Sequence, residues 1–543
     1  MGKNHKLIYK IILFSIIVLA FGIRIYGLEN KDIIGDEGAY SFRAEGYLDY
    51  LGTSFQTQPI EWFKDADLPF WTKLSFHDAP PLYFLIQNLF FNIFGDSGVT
   101  ARLSSVVLGA ASAWLIYALA KMFAGEIAAL LAAFVFAVGN AGVFLGRAAL
   151  IEPVLLFFVL LNIYAFFRFI RDNRWWWAFG ASFGLVILAK YTGIFLIPAY
   201  LIYMLLAERK LFGNWKFYAA FLIALVLFNP VIIYNIQLYR AVGHFDLQVS
   251  YFLGQDTPEW SGLVGKTQSP FSDILKNLKE IYGLTGLIAA AIGFLAAIFM
   301  ILKKKIREIW FVFAYILCLT LMLIAIGSAT RFVALYAPAF AILIAAGAVL
   351  IWEISKNRYV KFILLILPAG FLVQQAYFTY EKNFTEFPDF GIAKLDNFLQ
   401  KEFKGIASGA IPQTDNKHLN DVINKFSKKD ADSAKRLFAV VYNDNIALPT
   451  LEWIFYRRFF YHAVPTMYVE NFIRSLKEQD FNNFDIYFVQ STENTLLNPF
   501  KIEKTAGFQF EENLKNSGKM PVEIIRGDED REMFRVYKFS LKG

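Results

Sequence analysis

Two adjacent carboxylates, Asp36 and Glu37, stand in the stretch GDEGAYSFRAEGYL, about ten residues past an apolar run from Leu7 to Tyr26. A run of roughly 20 apolar residues is long enough to cross a bilayer. Crossing does not require acid at the exit, and a buried acid costs several kcal/mol unless it is paired or used. The alternative for such a pair is a solvated turn beside the headgroups, or an acid capping a helix. Further along lie His77 and Asp78 in HDAPP, Arg102, Arg147 and Glu152 in GRAALIEPVLLFF, Lys190 in LAKYTG, His244 in GHFDLQVSYFLG, and Arg331. Cations gathered at a membrane interface suit a phosphate or pyrophosphate held at headgroup depth. A carboxylate beside them can take the proton of an incoming hydroxyl. A lipid phosphate bearing a sugar needs both. Its phosphate leaves without a general acid, so one base and a cationic clamp suffice for a single displacement that inverts the anomeric carbon. Stabilisation of the departing phosphate is then the larger contribution.

The elements that must carry these residues follow from composition. Of 543 residues, 57 % are hydrophobic and 18 % aromatic, which marks an integral membrane protein. The net charge of +7 comes mostly from loop lysines and arginines, so a nucleic-acid partner is set aside. Cys318 is the single cysteine, which excludes a disulfide framework or a thiolate metal site. The first span is too long for a signal peptide, and no small-residue cleavage site follows it.

Lys3, Lys6 and Lys10 precede that span and put the N-terminus on the cytoplasmic side. The clusters around Lys121, Arg168 to Arg174, Arg209 to Lys216, Lys303 to Arg307 and Lys356 to Lys361 fall on the same side if about eleven helices cross. The expected later spans are about 99–120, 127–146, 150–169, 175–189, 191–207, 216–236, 281–302, 309–327, 331–352 and 360–379. Residues 79–95, opening on two prolines, fit an amphipathic helix in the outer interface better than a further span. That leaves a long first external loop (27–98) and a second at about 237–280, the kind of connection that carries function. On this topology Arg102, Arg147, Lys190 and Arg331 sit at outer helix ends, against the positive-inside bias. Snorkelling to the interface is the plain explanation for each of them. Glu152 precedes a proline at a helix start, where the dipole favours an acid in any case. The tryptophans 175–177 read as an interfacial anchor.

Residues 381–543 read as a small extracytoplasmic α/β domain after a membrane domain of residues 1–380. Strand-like RLFAVVYN, NFDIYFVQ and EMFRVYKFSL alternate with helix-like TLEWIFYRRFFYH and VENFIRSLKEQ.

The ordered set DEGAY, HDAPPLYFLIQNLFFNIFG, ARLSSVVLGAASAWLIYALAKMFAG, RAALIEPVLLFFVLL, GLVILAKYTGIFLIPAYL and RFVALYAPAFAIL resembles the C-type (GT-C) membrane glycosyltransferases. The branch it resembles holds the protein O-mannosyltransferases and the lipid A aminoarabinose transferase. The resemblance covers roughly residues 1–380. It implies an α-helical polytopic GT-C fold, a polyprenyl-phosphate sugar donor, a glycan, lipid or protein acceptor, and a site on the non-cytoplasmic face. It makes Asp36 the base, with Glu37 beside it and Glu152 at the family's second acid position, where the family usually has Asp. It assigns Lys190 and Arg102 to the donor phosphate. Arg147 and Arg331 are further candidates for the phosphate, and His77, His244 and Asp78 for substrate or metal. A divalent metal ion could bind there, although sequence does not bring its ligands together.

Three other functions compete. A transporter or flippase would carry charges at mid-membrane and broken helices in both halves, whereas here the charges lie at span ends. A polysaccharide polymerase or ligase would use a lipid-pyrophosphate donor. The C-terminal domain could also make this chiefly a glycan-binding scaffold.

Overall fold

The computed structural model describes residues 3–49, 58–63, 67–255, 270–304, 306–403, 412–427, 437–443, 451–477, 481–492 and 505–541. The part of the second loop that reads PEWSGLVGKTQS lies outside them. Seven described helices are long and apolar enough to cross a membrane: His5–Asn30, Gly98–Val138, Ile151–Arg171, Trp215–Val242, Pro270–Lys303, Ile309–Ile326 and Thr330–Ile354. The chain is a multi-pass membrane protein. The expected count of eleven is not reached by that measure, for identifiable reasons. The expected spans 99–120 and 127–146 fall largely on Gly98–Val138, where two helices meet at a non-helical Gly125, whose φ of 84° only glycine adopts easily, and so count once by that measure. Trp176–Ala189 and Leu196–Ala207 are helices of 14 and 12 residues. Residues 79–95 form the 13-residue helix Leu82–Phe94, too short to cross. It exposes Leu85, Leu89 and Ile93 as one apolar stripe, the pattern of a helix lying in an interface.

The chain divides into two compact units, 1–28 with 71–86 and 102–387, and 29–70 with 87–101 and 388–543. In the first unit, burial of apolar surface cannot drive helix against helix, because lipid is as apolar as leucine; close packing and interhelical hydrogen bonds do it instead. Trp176–Ala189 packs between Ile151–Arg171 and Trp215–Val242. Asn162, fully buried, accepts from the Tyr200 hydroxyl (2.5 Å) and donates to the Phe179 carbonyl (2.8 Å) and Ser182 (3.0 Å). This one amide ties three helices together. The helix Pro270–Phe299 lies against Ala337–Ile354 so closely that a Cβ on Gly293 would stand 2.5 Å from the Leu343 carbonyl oxygen. Gly293→Val is expected to lower the melting temperature steeply, because backbone cannot move aside as a side chain could; thermal unfolding of the detergent-solubilised protein measures it.

The second unit is built on a five-stranded sheet of order β2-β1-β3-β5-β4, with β1 Leu437–Tyr442, β2 Thr466–Tyr468, β3 Phe484–Ser491, β4 Glu523–Arg526 and β5 Glu532–Phe539. β1 runs parallel to β2 and β3, whereas β5 is antiparallel to β3 and β4. The central β3 reads as a near-continuous apolar run because it is covered on both faces. All three expected strands and both expected helices are present, and TMY and EIIR add two short ones. The described residues of 29–70 group with this sheet domain. Asp32 accepts from the Phe390 and Ala393 amides (2.6 and 2.7 Å), capping Ile392–Phe403. Tyr461 donates to the Phe42 carbonyl (2.9 Å), and its ring lies where a Cβ on Gly46 would have to go.

Candidate functional site

In the first unit, three of the charged residues singled out from sequence meet. Glu152 is in the first turn of Ile151–Arg171, Lys190 ends Trp176–Ala189, and Arg331 is in the first turn of Thr330–Val333. Lys190 Nζ donates to Glu152 Oε1 at 2.6 Å, and Arg331 Nε lies 3.5 Å from the same oxygen. Both cations also stand over the Phe332 ring, at 4.4 and 5.1 Å from its centroid. Exposure grades outward: 1 % for the Glu152 side chain, 9 % for Lys190 and 27 % for Arg331. Two positive charges on one buried acid suit an anion arriving at the exposed edge.

Lys190 is followed by Tyr191, whose hydroxyl donates to Asp246 Oδ2 at 2.6 Å. Asn235 donates to that oxygen (2.8 Å) and accepts from the Asp246 amide (2.8 Å), and Asp246 Oδ1 caps Leu247–Leu253 through the Val249 amide (2.9 Å). Burial pushes the Asp246 carboxyl upward from its ordinary range, against the pull of the Tyr191, Val249 and Asn235 hydrogen bonds. Sequence reasoning missed Tyr191, Asn235 and Asp246. The signals available were the place of Tyr191 beside Lys190 in LAKYTG and an Asp ahead of the apolar run LQVSYFL. A carboxyl with a raised folded pKa contributes stability below its unfolded pKa and loses it as pH rises through the folded value. Tyr191→Phe removes a bond to the charged form and raises that pKa further. It is therefore expected to destabilise by about 1–3 kcal/mol at neutral pH and by less near about pH 4; melting at the two pH values tests this.

The HDAP segment is laced to the same loop. Leu247 donates its amide to the His77 carbonyl (2.9 Å), Gln248 donates to the Asp78 carbonyl (2.5 Å), and the His77 and His244 rings lie 5.8 Å apart. The backbone of Asp78 thus belongs to this set. Arg147 is used differently. It is buried and donates to the carbonyls of Ile23 (3.1 Å), Arg24 (3.3 Å) and Tyr26 (2.5 Å), with its guanidinium 4.1 Å from the Phe384 centroid. A cation on the last carbonyls of the first helix is what the dipole there favours. Arg102 is fully buried near the start of Gly98–Val138.

Asp36 and Glu37 belong to the second unit, in the first turn of Asp36–Gly46. The preceding Gly35 has a φ of 54°, a turn that side chains resist, and it starts the helix so that Asp36 keeps partial exposure while Glu37 is 5 % exposed. The two neighbours differ in kind: Asp36 reaches solvent and Glu37 faces inward.

The family described as Dolichyl-phosphate-mannose-protein mannosyltransferase matches residues 78–234. YkcB of Bacillus subtilis is 32 % identical over 166 residues, which are 29 % of this chain and 23 % of YkcB. This chain thus matches less than a quarter of that relative's length. The structure of ArnT from Cupriavidus metallidurans bound to undecaprenyl phosphate is similar with a TM-score of 0.55 at 12 % identity, covering 99 % of this chain and 98 % of that one. The apo oligosaccharyltransferase of Archaeoglobus fulgidus is similar with a TM-score of 0.54 at 13 % identity, covering 90 % and 70 %. That archaeal protein has also been solved with Zn and sulfate. The chain has the GT-C fold with a small C-terminal sheet domain, as the ordered sequence motifs implied.

Proposed function

We propose that this chain transfers a monosaccharide from a polyprenyl-phosphate donor to an acceptor hydroxyl on the extracytoplasmic face of the membrane, with inversion at the anomeric carbon. The carrying observation is the meeting of Lys190 and Arg331 on buried Glu152 in a GT-C fold. Lys190 and Arg331 hold the donor phosphate. Glu152, already engaged by both cations, positions them rather than accepting a proton. Asp36 takes the proton of the acceptor hydroxyl as its oxygen attacks the anomeric carbon, and the bond to the lipid phosphate breaks with its electrons going to that phosphate. Arg102 remains a further candidate for the donor, and Glu37 for orienting Asp36. The N-terminus is placed in the cytoplasm and the C-terminal domain outside, from the distribution of lysine and arginine. Two imidazoles facing one another fit a divalent ion. His77 and His244 would hold it, and the ion would supply positive charge near the phosphate.

The test is transfer from a radiolabelled panel of polyprenyl-monophosphate and polyprenyl-pyrophosphate sugars, using membranes with and without the protein. Label passing to a product only from a monophosphate donor supports the reading. Transfer only from a pyrophosphate donor replaces it with a polymerase or ligase. Solute accumulation in sealed vesicles without transfer replaces it with a transporter.

A further inference from the structure

The second unit holds a cluster that the transfer chemistry does not use. Glu45 lies near the end of Asp36–Gly46, Asp96 just before Gly98–Val138, and His462 just after Arg457–Tyr461. Three segments far apart in sequence thus bring one imidazole and two carboxylates together, with a donor atom from each lying within 4.8 Å of the other two. His462 Nε2 is 2.5 Å from Asp96 Oδ2 and 3.8 Å from Glu45 Oε1. Glu45 is 9 % exposed, and its other oxygen, Oε2, is buried with no hydrogen-bond partner. A buried carboxylate oxygen left without a donor is costly and points to a ligand.

The surrounding charges favour a cation. Asp396 accepts from Arg457 (2.6 Å) and Arg458 (2.7 Å), and Arg457 also lies 3.4 Å from Asp96. Three carboxylates face two guanidiniums and the imidazole of His462, so loss of the proton that His462 shares with Asp96 leaves one negative charge for a cation to balance. The geometry is held firmly: Asn88 donates to the Ala44 and Glu45 carbonyls (2.8 and 2.9 Å), and Ala463, beside His462, adopts a φ of 54°.

We propose that Glu45, Asp96 and His462 bind a Zn2+ ion that staples the helix Asp36–Gly46 and residue 96 to the C-terminal sheet domain. Zinc takes imidazole nitrogen and carboxylate oxygen at about 2.0–2.2 Å, with water completing four ligands. The metal displaces the proton shared by His462 and Asp96, which passes to solvent, and small side-chain rotations open that pair to the spacing of two ligands on one ion. The site is separate from the His77 and His244 pair, and the proposal does not rest on the glycosyl-transfer reading.

The test uses the full-length protein in detergent, stripped with EDTA and titrated with Zn2+, with Mg2+ as the comparison. Zinc is expected to raise the melting temperature by several degrees at micromolar concentration, whereas Mg2+ does not. Made in a His77→Asn background, which removes the ion proposed at His77 and His244, Glu45→Gln and His462→Asn are expected to lose the shift. Should His462→Asn fail to fold, the near-isosteric Glu45→Gln decides alone. Absence of a shift in the wild type overturns the proposal, as does a shift that survives in Glu45→Gln.

Discussion

Asp36→Asn is expected to lower the rate of sugar transfer by about 10²- to 10⁴-fold, the range for loss of a general base, while the protein stays folded. The replacement is isosteric and keeps a polar side chain in the first turn of Asp36–Gly46. Losing a charge at a helix N-terminus costs only about 0.3–1 kcal/mol, so melting should move by a few degrees at most. Asp36 is partly exposed, which leaves no buried charge behind. Glu37→Gln is the natural control, since Glu37 is 5 % exposed and its replacement should act first on stability. Both quantities are measured on one preparation: label transferred per minute, and the melting temperature. Full activity in Asp36→Asn removes Asp36 as the base. Loss of melting cooperativity together with activity would make Asp36 a structural acid.

Lys190→Gln is expected to abolish transfer and to destabilise by about 3–5 kcal/mol, because it strips a buried carboxylate of its nearest cation. Lys190 and Glu152 sit 2.6 Å apart at 9 % and 1 % side-chain exposure, so water cannot replace either partner. The double replacement Glu152→Gln with Lys190→Gln separates the two roles. With both charges gone, the destabilisation should largely disappear, since neutral partners of similar shape are often close to neutral in energy. Activity should not return, because the cation that faces the donor phosphate is still missing. Transfer recovering along with stability would make the pair structural and would move the phosphate to other residues. Arg331→Gln should be gentler on folding, being 27 % exposed, and should appear mainly as a raised KM for the lipid donor. Steady-state kinetics against donor concentration separates the two variants.

Much of this architecture is legible in the chain itself, because membrane burial writes long-range position into local composition. Long apolar runs report helices, and the ordered motifs report a GT-C fold. Alternation and apolar runs locate β1, β3 and β5. TMY and EIIR escaped because three or four residues are too few to show a period. The count of eleven spans is not confirmed, because two helices run together at Gly125 and Trp176–Ala189 and Leu196–Ala207 are short. Residue type and loop position were enough to single out Asp36, Glu152, Lys190 and Arg331. Only the tertiary structure decided what each one touches. It spent Arg147 on the carbonyls that end the first helix, and it brought Arg331 to Glu152 across 179 positions. It also joined Tyr191 to Asp246 and assembled Glu45, Asp96 and His462 from three distant segments. Such pairings depend on helix crossing geometry and on which buried polar atom finds which partner, and no local pattern in the chain records either.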